Sequence, residues 1–122
     1  MDDSMTAVVA AVGEDIARLW ADLGAVAALD LETAEAMVRD GVLAIGARVL
    51  EAAVAARGTG QAGPRQPCAC GGAAGFEGYR PKQVQTVVGW ITLRRAYYAC
   101  AACGHGQCPL DASLGVQRDS LS

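Results

Sequence analysis

Apolar positions recur at spacings of three and four through the first half of the chain, then give way to β-branched and aromatic alternation in the second. Val8, Val12, Ile16, Leu19 and Leu23 mark one face of a helix that Ser4 or Thr6 can cap and Gly24 can stop. A second, longer helix is predicted to begin after Asp30, whose carboxylate can accept the orphan N–H of Thr33. Its stripe is Leu31, Ala34, Val38, Val42, Ile45, Val49 and Val54, ending before Gly58. The two should pair as an α-hairpin. Residues 58–67 hold three glycines and two prolines in ten positions, which cannot continue a helix and read as a flexible linker. Beyond them, Phe76–Arg80 suits a short strand that Pro81 breaks. Val84–Val88 and Ile91–Ala99 then suit an antiparallel hairpin around a type II′ turn at Gly89-Trp90. On its second strand Ile91, Leu93, Arg95 and Tyr97 share one face, and Thr92, Arg94, Ala96 and Tyr98 the other.

The expected fold class is therefore α+β, with an N-terminal α-helical hairpin followed by a small antiparallel zinc-ribbon-like β unit. Its segments are a helical region over 1–57, a linker over 58–67, the ribbon over 68–108 and a tail over 109–122. Alanine-rich helices bury little area per side chain, so two of them alone are marginal. They need a further surface, either the metal-bound half or a second copy of the chain in a homodimer. Gly41 and Gly46 each cost a helix about 1 kcal/mol relative to alanine, which close helix crossing can offset.

Charge separates the halves. Residues 1–60 carry ten acids and four bases, and residues 61–122 carry three acids and six bases, so an overall formal charge of −3 conceals a basic second half. Nucleic-acid contact would belong to that half. The acidic start and the charges that interrupt the apolar stretches give neither a secretory signal nor a membrane span, so a cytoplasmic location is expected. Reducing conditions there favour metal binding over disulfides for the five cysteines.

Those cysteines carry the strongest chemical signal. Cys68-Ala-Cys70-Gly-Gly and Cys100-Ala-Ala-Cys103-Gly-His flank the strand-forming segment, and together they can supply four thiolates to one tetrahedral Zn²⁺. The second pair has the common knuckle spacing. The first is one residue shorter, and Gly71-Gly72 must absorb the difference. His105 and Cys108 are the alternative ligands; His105 is read as facing solvent or donating a hydrogen bond to a ligand, and Cys108 as a small buried apolar residue. A closed four-thiolate site is structural, since no position is left for water.

Arg80, Lys82, Arg94 and Arg95 lie near this site in sequence and are the candidate nucleic-acid contacts, through phosphate. The competing explanation is that one of the adjacent arginines, pointing to opposite faces, is merely solvated or paired with an acid from the helical half. Five of the six aromatics fall in this region, where they can cover the sheet, and one tyrosine could stack on a base. Catalytic machinery is hard to find: there is one histidine, no glycine-rich phosphate loop and no nucleophile elbow. Pairing Cys103 or Cys108 with His105 as a nucleophile fits the spacing less well than a metal knuckle does.

An ordered series of motifs goes further than any one cysteine pair. It comprises Cys68-Ala-Cys-Gly-Gly, Gly78-Tyr-Arg-Pro, Thr86-Val-Val-Gly, Thr92-Leu-Arg-Arg-Ala-Tyr-Tyr-Ala-Cys-Ala-Ala-Cys-Gly-His-Gly and Cys108-Pro-Leu-Asp-Ala-Ser-Leu-Gly. The series resembles the N-terminal region of bacterial insertion-sequence transposases of the Kra type, closely over 68–115 and more loosely over about 30–57. The resemblance implies a zinc-ribbon-like segment that helps bind DNA and precedes an RNase-H-like catalytic domain of the DDE type. No part of this sequence matches that domain. The expectation is thus a truncated transposase-like protein, not itself catalytic, that binds zinc and DNA; the alternative is a zinc-stabilised interaction module or remnant without DNA affinity.

Overall fold

The computed structural model describes residues 2–116; Met1 and the end of the expected tail, 117–122, lie outside the described residues. The order of elements is α1 (Asp3–Ala25), α2 (Leu31–Ala56), β1 (Arg65–Pro67), β2 (Ala73–Thr86), β3 (Gly89–Cys100), β4 (Gly106–Gln107) and α3 (Pro109–Leu114). Two helices followed by a four-stranded sheet of order β1-β2-β3-β4 make an α+β fold, as expected from the sequence. The chain divides into two compact units. One holds both long helices with the hairpin tip Thr86–Ile91, and the other holds the rest of the sheet.

In the helical unit Asp30 caps α2 as predicted, accepting from Thr33 N–H at 2.7 Å. For α1 the cap is Asp2 rather than Ser4 or Thr6: its carboxylate accepts from Met5 N–H at 2.8 Å. A carboxylate there also meets the positive end of the helix dipole, which a hydroxyl cannot match. The helix runs past Gly24 to Ala25. Gly41 lets Leu19 of α1 approach, since a Cβ there would lie 2.8 Å from Leu19 Cδ2. Gly46 serves a different neighbour, the hairpin tip, where Val88 Cγ1 would lie 3.1 Å from such a Cβ. Arg48 bridges to Asp15 with contacts of 2.6 and 3.1 Å. Yet neither helix contains a fully buried residue, and Leu31, Val38, Val42 and Val49 of the α2 stripe are exposed.

The hairpin turn is Val87-Val88, two residues earlier than predicted, and Trp90 belongs to β3. Gly89 follows the turn with φ +117°, and Thr86 Oγ1 ties the loop by donating to Gly89 C=O at 2.7 Å and accepting from Val88 N–H at 3.2 Å. Glycine is thus spent on closing the turn rather than on its first central position.

Nor does Pro81 break a strand. The register of β1 on β2 ends at Gly75, so that side of β2 is unpaired by β1 at Pro81, where a missing N–H costs little. The interruption lies instead at Gly78, with φ +122°. Three residues apart on a regular strand, Phe76 and Tyr79 would face opposite ways, but their rings meet edge-on with centroids 5.4 Å apart. The positive φ of Gly78, which a side-chain-bearing residue rarely adopts, departs from regular strand geometry between them and accounts for the contact. Tyr79 therefore joins Phe76 and Tyr98 on one face, while Arg80 and Lys82 join Arg95 and Tyr97 on the other.

Residues 58–67, expected as linker, carry β1 and a strap bound along the sheet. Ala96 N–H donates to Thr59 C=O at 2.8 Å. The wholly buried Tyr98 accepts from Ala62 N–H at 3.0 Å and donates to Gly63 C=O at 2.8 Å. Gly60, at φ +82°, passes so close to α3 that a Cβ would lie 2.8 Å from Leu110 N. Under the strap sits a small core of Cys68, Ala74, Ala96, Tyr98 and Cys100, with Phe76 packed against it.

Candidate metal centre

Cys68 and Cys70 lie between β1 and β2, while Cys100 ends β3 and Cys103 stands on the turn between β3 and β4. Both turns close in the same way. In the first, Cys68 N–H donates to Gly72 C=O (3.0 Å) and Gly71 N–H to Cys68 C=O (2.9 Å). In the second, Cys100 N–H donates to His105 C=O (2.9 Å) and Gly104 N–H to Cys100 C=O (2.8 Å). The glycine after each second cysteine has positive φ, +92° at Gly71 and +76° at Gly104. The shorter Cys-x-Cys spacing therefore makes the same kind of knuckle with one residue fewer.

The four sulfur atoms lie within 4.8 Å of one another, with Cys68 to Cys103 and Cys70 to Cys100 each at 3.6 Å. Four ligands 2.3 Å from a central zinc at tetrahedral angles would be spaced about 3.8 Å apart. The set fits a tetrahedral ion. Cys68 and Cys100 are buried in the core, while Cys70 and Cys103 are exposed, so the site staples the core from its rim. Gly72 leaves the necessary room: a Cβ there would lie 3.3 Å from Cys100 Sγ and 3.4 Å from Cys70 Sγ.

The backbone prepares the thiols for ionisation. The N–H groups of Cys103 and Ala102, pointing at Cys100, hold its thiol down at about 7. The Gly72 N–H, 3.4 Å from Cys70 Sγ, acts in the same direction there, but the other three sulfurs outweigh it and push Cys70 up to about 12. Crowded thiolates repel, and a divalent cation among them removes the conflict. These four cysteines could therefore hold a metal ion.

His105 is exposed and is not among the metal-competent side chains; its carbonyl closes the second knuckle. Cys108 is half-buried and also outside the cluster. Burial raises its thiol, with Arg95, Arg80 and Lys82 acting in the opposite sense.

The four basic candidates do not form one patch. Arg80 lies over the Tyr97 ring at 3.7 Å, and Arg94 over the Tyr79 ring at 3.9 Å, on opposite faces of the sheet. Both are exposed. Lys82 is buried, at 5% exposure, and Arg95 is paired with Asp111 at 2.7 Å while its Nε donates to Arg80 C=O at 3.3 Å. Asp111 as the partner of Arg95 was not foreseen; Pro109 at the start of α3 was the available sign that a helix turn brings this carboxylate back to the sheet.

Compared with family models, with curated proteins and with solved structures, the chain matches none. Among the described residues no helix is long and apolar enough to cross a membrane.

Proposed function

We propose that this chain is a zinc-stapled, nucleic-acid-contacting module, the N-terminal portion of an insertion-sequence transposase of the Kra type. The observation that carries the proposal is the convergence of four sulfurs from two matched knuckles to within 4.8 Å. Tetrahedral sulfur sets suit zinc or iron, and a closed site with a purely structural task suits redox-inert zinc. Such a site belongs in a reducing compartment, in keeping with a cytoplasmic protein.

Arg80 and Arg94 are the phosphate contacts in this proposal. Each guanidinium lies over a tyrosine ring, which limits its motion, and both arginines are exposed. Binding of labelled duplex DNA at increasing salt tests the assignment. Replacing Arg80 and Arg94 together by alanine should weaken binding and reduce the salt slope by about 2, while the zinc content stays unchanged. Equal binding by that variant and the native chain would refute it.

A second proposal is a zinc-stabilised protein-interaction unit without DNA affinity. It is favoured by the burial of Lys82 and the pairing of Arg95, which leave two of the four basic side chains exposed, and those on opposite faces. Absence of DNA retention by zinc-loaded protein at low salt would select it.

A further inference from the structure

The α-hairpin has an apolar face that the rest of its own unit leaves uncovered. Val9, Ile16 and Trp20 of α1 and Leu31, Val38, Val42 and Val49 of α2 are each between 40% and 78% exposed, with Trp20 and Leu31 the most open. Their spacing is helical: steps of seven and four along α1, and of seven, four and seven along α2. On both helices they fall on the same side of the contact made by Leu19 and Gly41. The groove on the opposite side carries the charged residues, Asp15, Arg18, Asp22, Asp40 and Arg48, beside Leu19 and Met37. One broad face of the hairpin is thus a continuous apolar sheet of side chains.

We propose that this face is the docking surface for a second copy of the same chain, two α-hairpins closing face to face about a two-fold axis as a four-helix bundle. Three observations favour a copy over a different protein. First, size: seven apolar side chains at 40% to 78% exposure on one face make a patch of several hundred Å², at the upper end for an ordinary monomer and of the order of the roughly 800 Å² per partner of a stable interface. Second, charge: Glu35 and Arg39 border the groove formed with Leu31, Val38 and Val42. In an isologous contact the acid of one protomer can face the base of the other, and the apolar centre carries no charge to mismatch. Third, economy of burial: 49 helical residues in α1 and α2 include no fully buried side chain. A helix pair of this kind becomes a core only when a second pair covers it.

The inference is independent of the metal and of DNA binding. Sedimentation equilibrium of the zinc-loaded full chain tests it. We expect twice the 12.5 kDa chain mass at tens of micromolar, undiminished by high salt, and a return to single-chain mass for Val42→Glu. Because that variant could lose its helices along with its partner, a second measurement uses Trp90→Phe, which leaves Trp20 as the sole tryptophan. Its emission should shift to the blue as concentration rises, since dimerisation covers a ring that is 78% exposed in the single chain. A native chain of single mass at these concentrations, or Trp20 emission that stays that of a water-exposed indole, would overturn the proposal and give the face to another macromolecule.

Discussion

Arg95 has a structural task that its sequence position beside Arg94 disguises, and its removal gives a quantitative expectation. Arg95 Nη1 meets Asp111 Oδ2 at 2.7 Å, with the two side chains only 13% and 23% exposed. The other carboxylate oxygen, Asp111 Oδ1, is buried without a hydrogen-bond donor among the described residues. Arg95→Ala would leave a mostly buried carboxylate without the guanidinium that it is bonded to. A hydrogen bond to a charged group contributes about 1.5–3 kcal/mol, and truncating one member of a fully buried pair costs about 3–5 kcal/mol. With about a fifth of the pair in water, we expect about 2 kcal/mol. Arg94→Ala gives up an exposed stacking contact and should cost below about 1 kcal/mol. The assay is release of metal, from protein loaded with zinc, to a colorimetric chelator in dilute urea, which reports opening of the sheet unit. Arg95→Ala should raise the open population about 30-fold. Arg95→Ala/Asp111→Ala should recover part of the loss, because the stranded carboxylate goes with its partner. Arg94→Ala releasing zinc faster than Arg95→Ala would refute the reasoning.

Three further expectations follow from particular contacts. Gly72→Val should weaken metal binding about tenfold or more without removing a thiolate, because its side chain would press on Cys70 and Cys100; unchanged affinity in competition with a chelator would count against the cage geometry. Gly60→Ala should destabilise the sheet unit by about 1–3 kcal/mol, since φ is +82° and Leu110 backbone lies in the way; a urea midpoint equal to the native one would count against the strap. Arg48 holds the Asp15 carboxyl below its usual range against the opposing effect of burial, with Arg18 helping. A depressed carboxyl stabilises fully above the unfolded value near 4 and loses that contribution as pH falls through the folded value. Helical circular dichroism should therefore fall less steeply below about pH 4 in Asp15→Asn than in the native chain, and parallel acid titrations would contradict this.

Elements with local causes were legible in the sequence. The Asp30 cap, both helices and the cluster of four cysteines that could hold a metal depend on residues within a turn of one another, or on a spacing that the chain states outright. Features decided by distant neighbours were not. Pro81 is harmless only because β1 ends opposite Gly75, and the hairpin turn moved to Val87-Val88 because Gly89 is needed to close it. The glycine-rich segment 58–67 has a linker's composition, yet Tyr98, more than thirty residues away, supplies the hydroxyl that holds it down. The basic cluster shows the same limit from the other side. Adjacency in sequence and alternation on a strand separate Arg94 from Arg95, but the irregular backbone at Gly78 shifts the facing of Tyr79 and Arg80, and with it the ring that each arginine meets. The apolar stripe of α2 was read correctly as apolar, while its burial depends on a surface that two helices do not supply.

The metal centre is tested most directly by elemental analysis of protein purified without added metal, with thiol titration alongside. We expect one zinc per chain and one reactive thiol, that of Cys108, with Cys68, Cys70, Cys100 and Cys103 protected until a chelator removes the ion. Protein free of metal, with all five thiols reacting at once, would contradict the zinc-stapled module and the nucleic-acid role built on it.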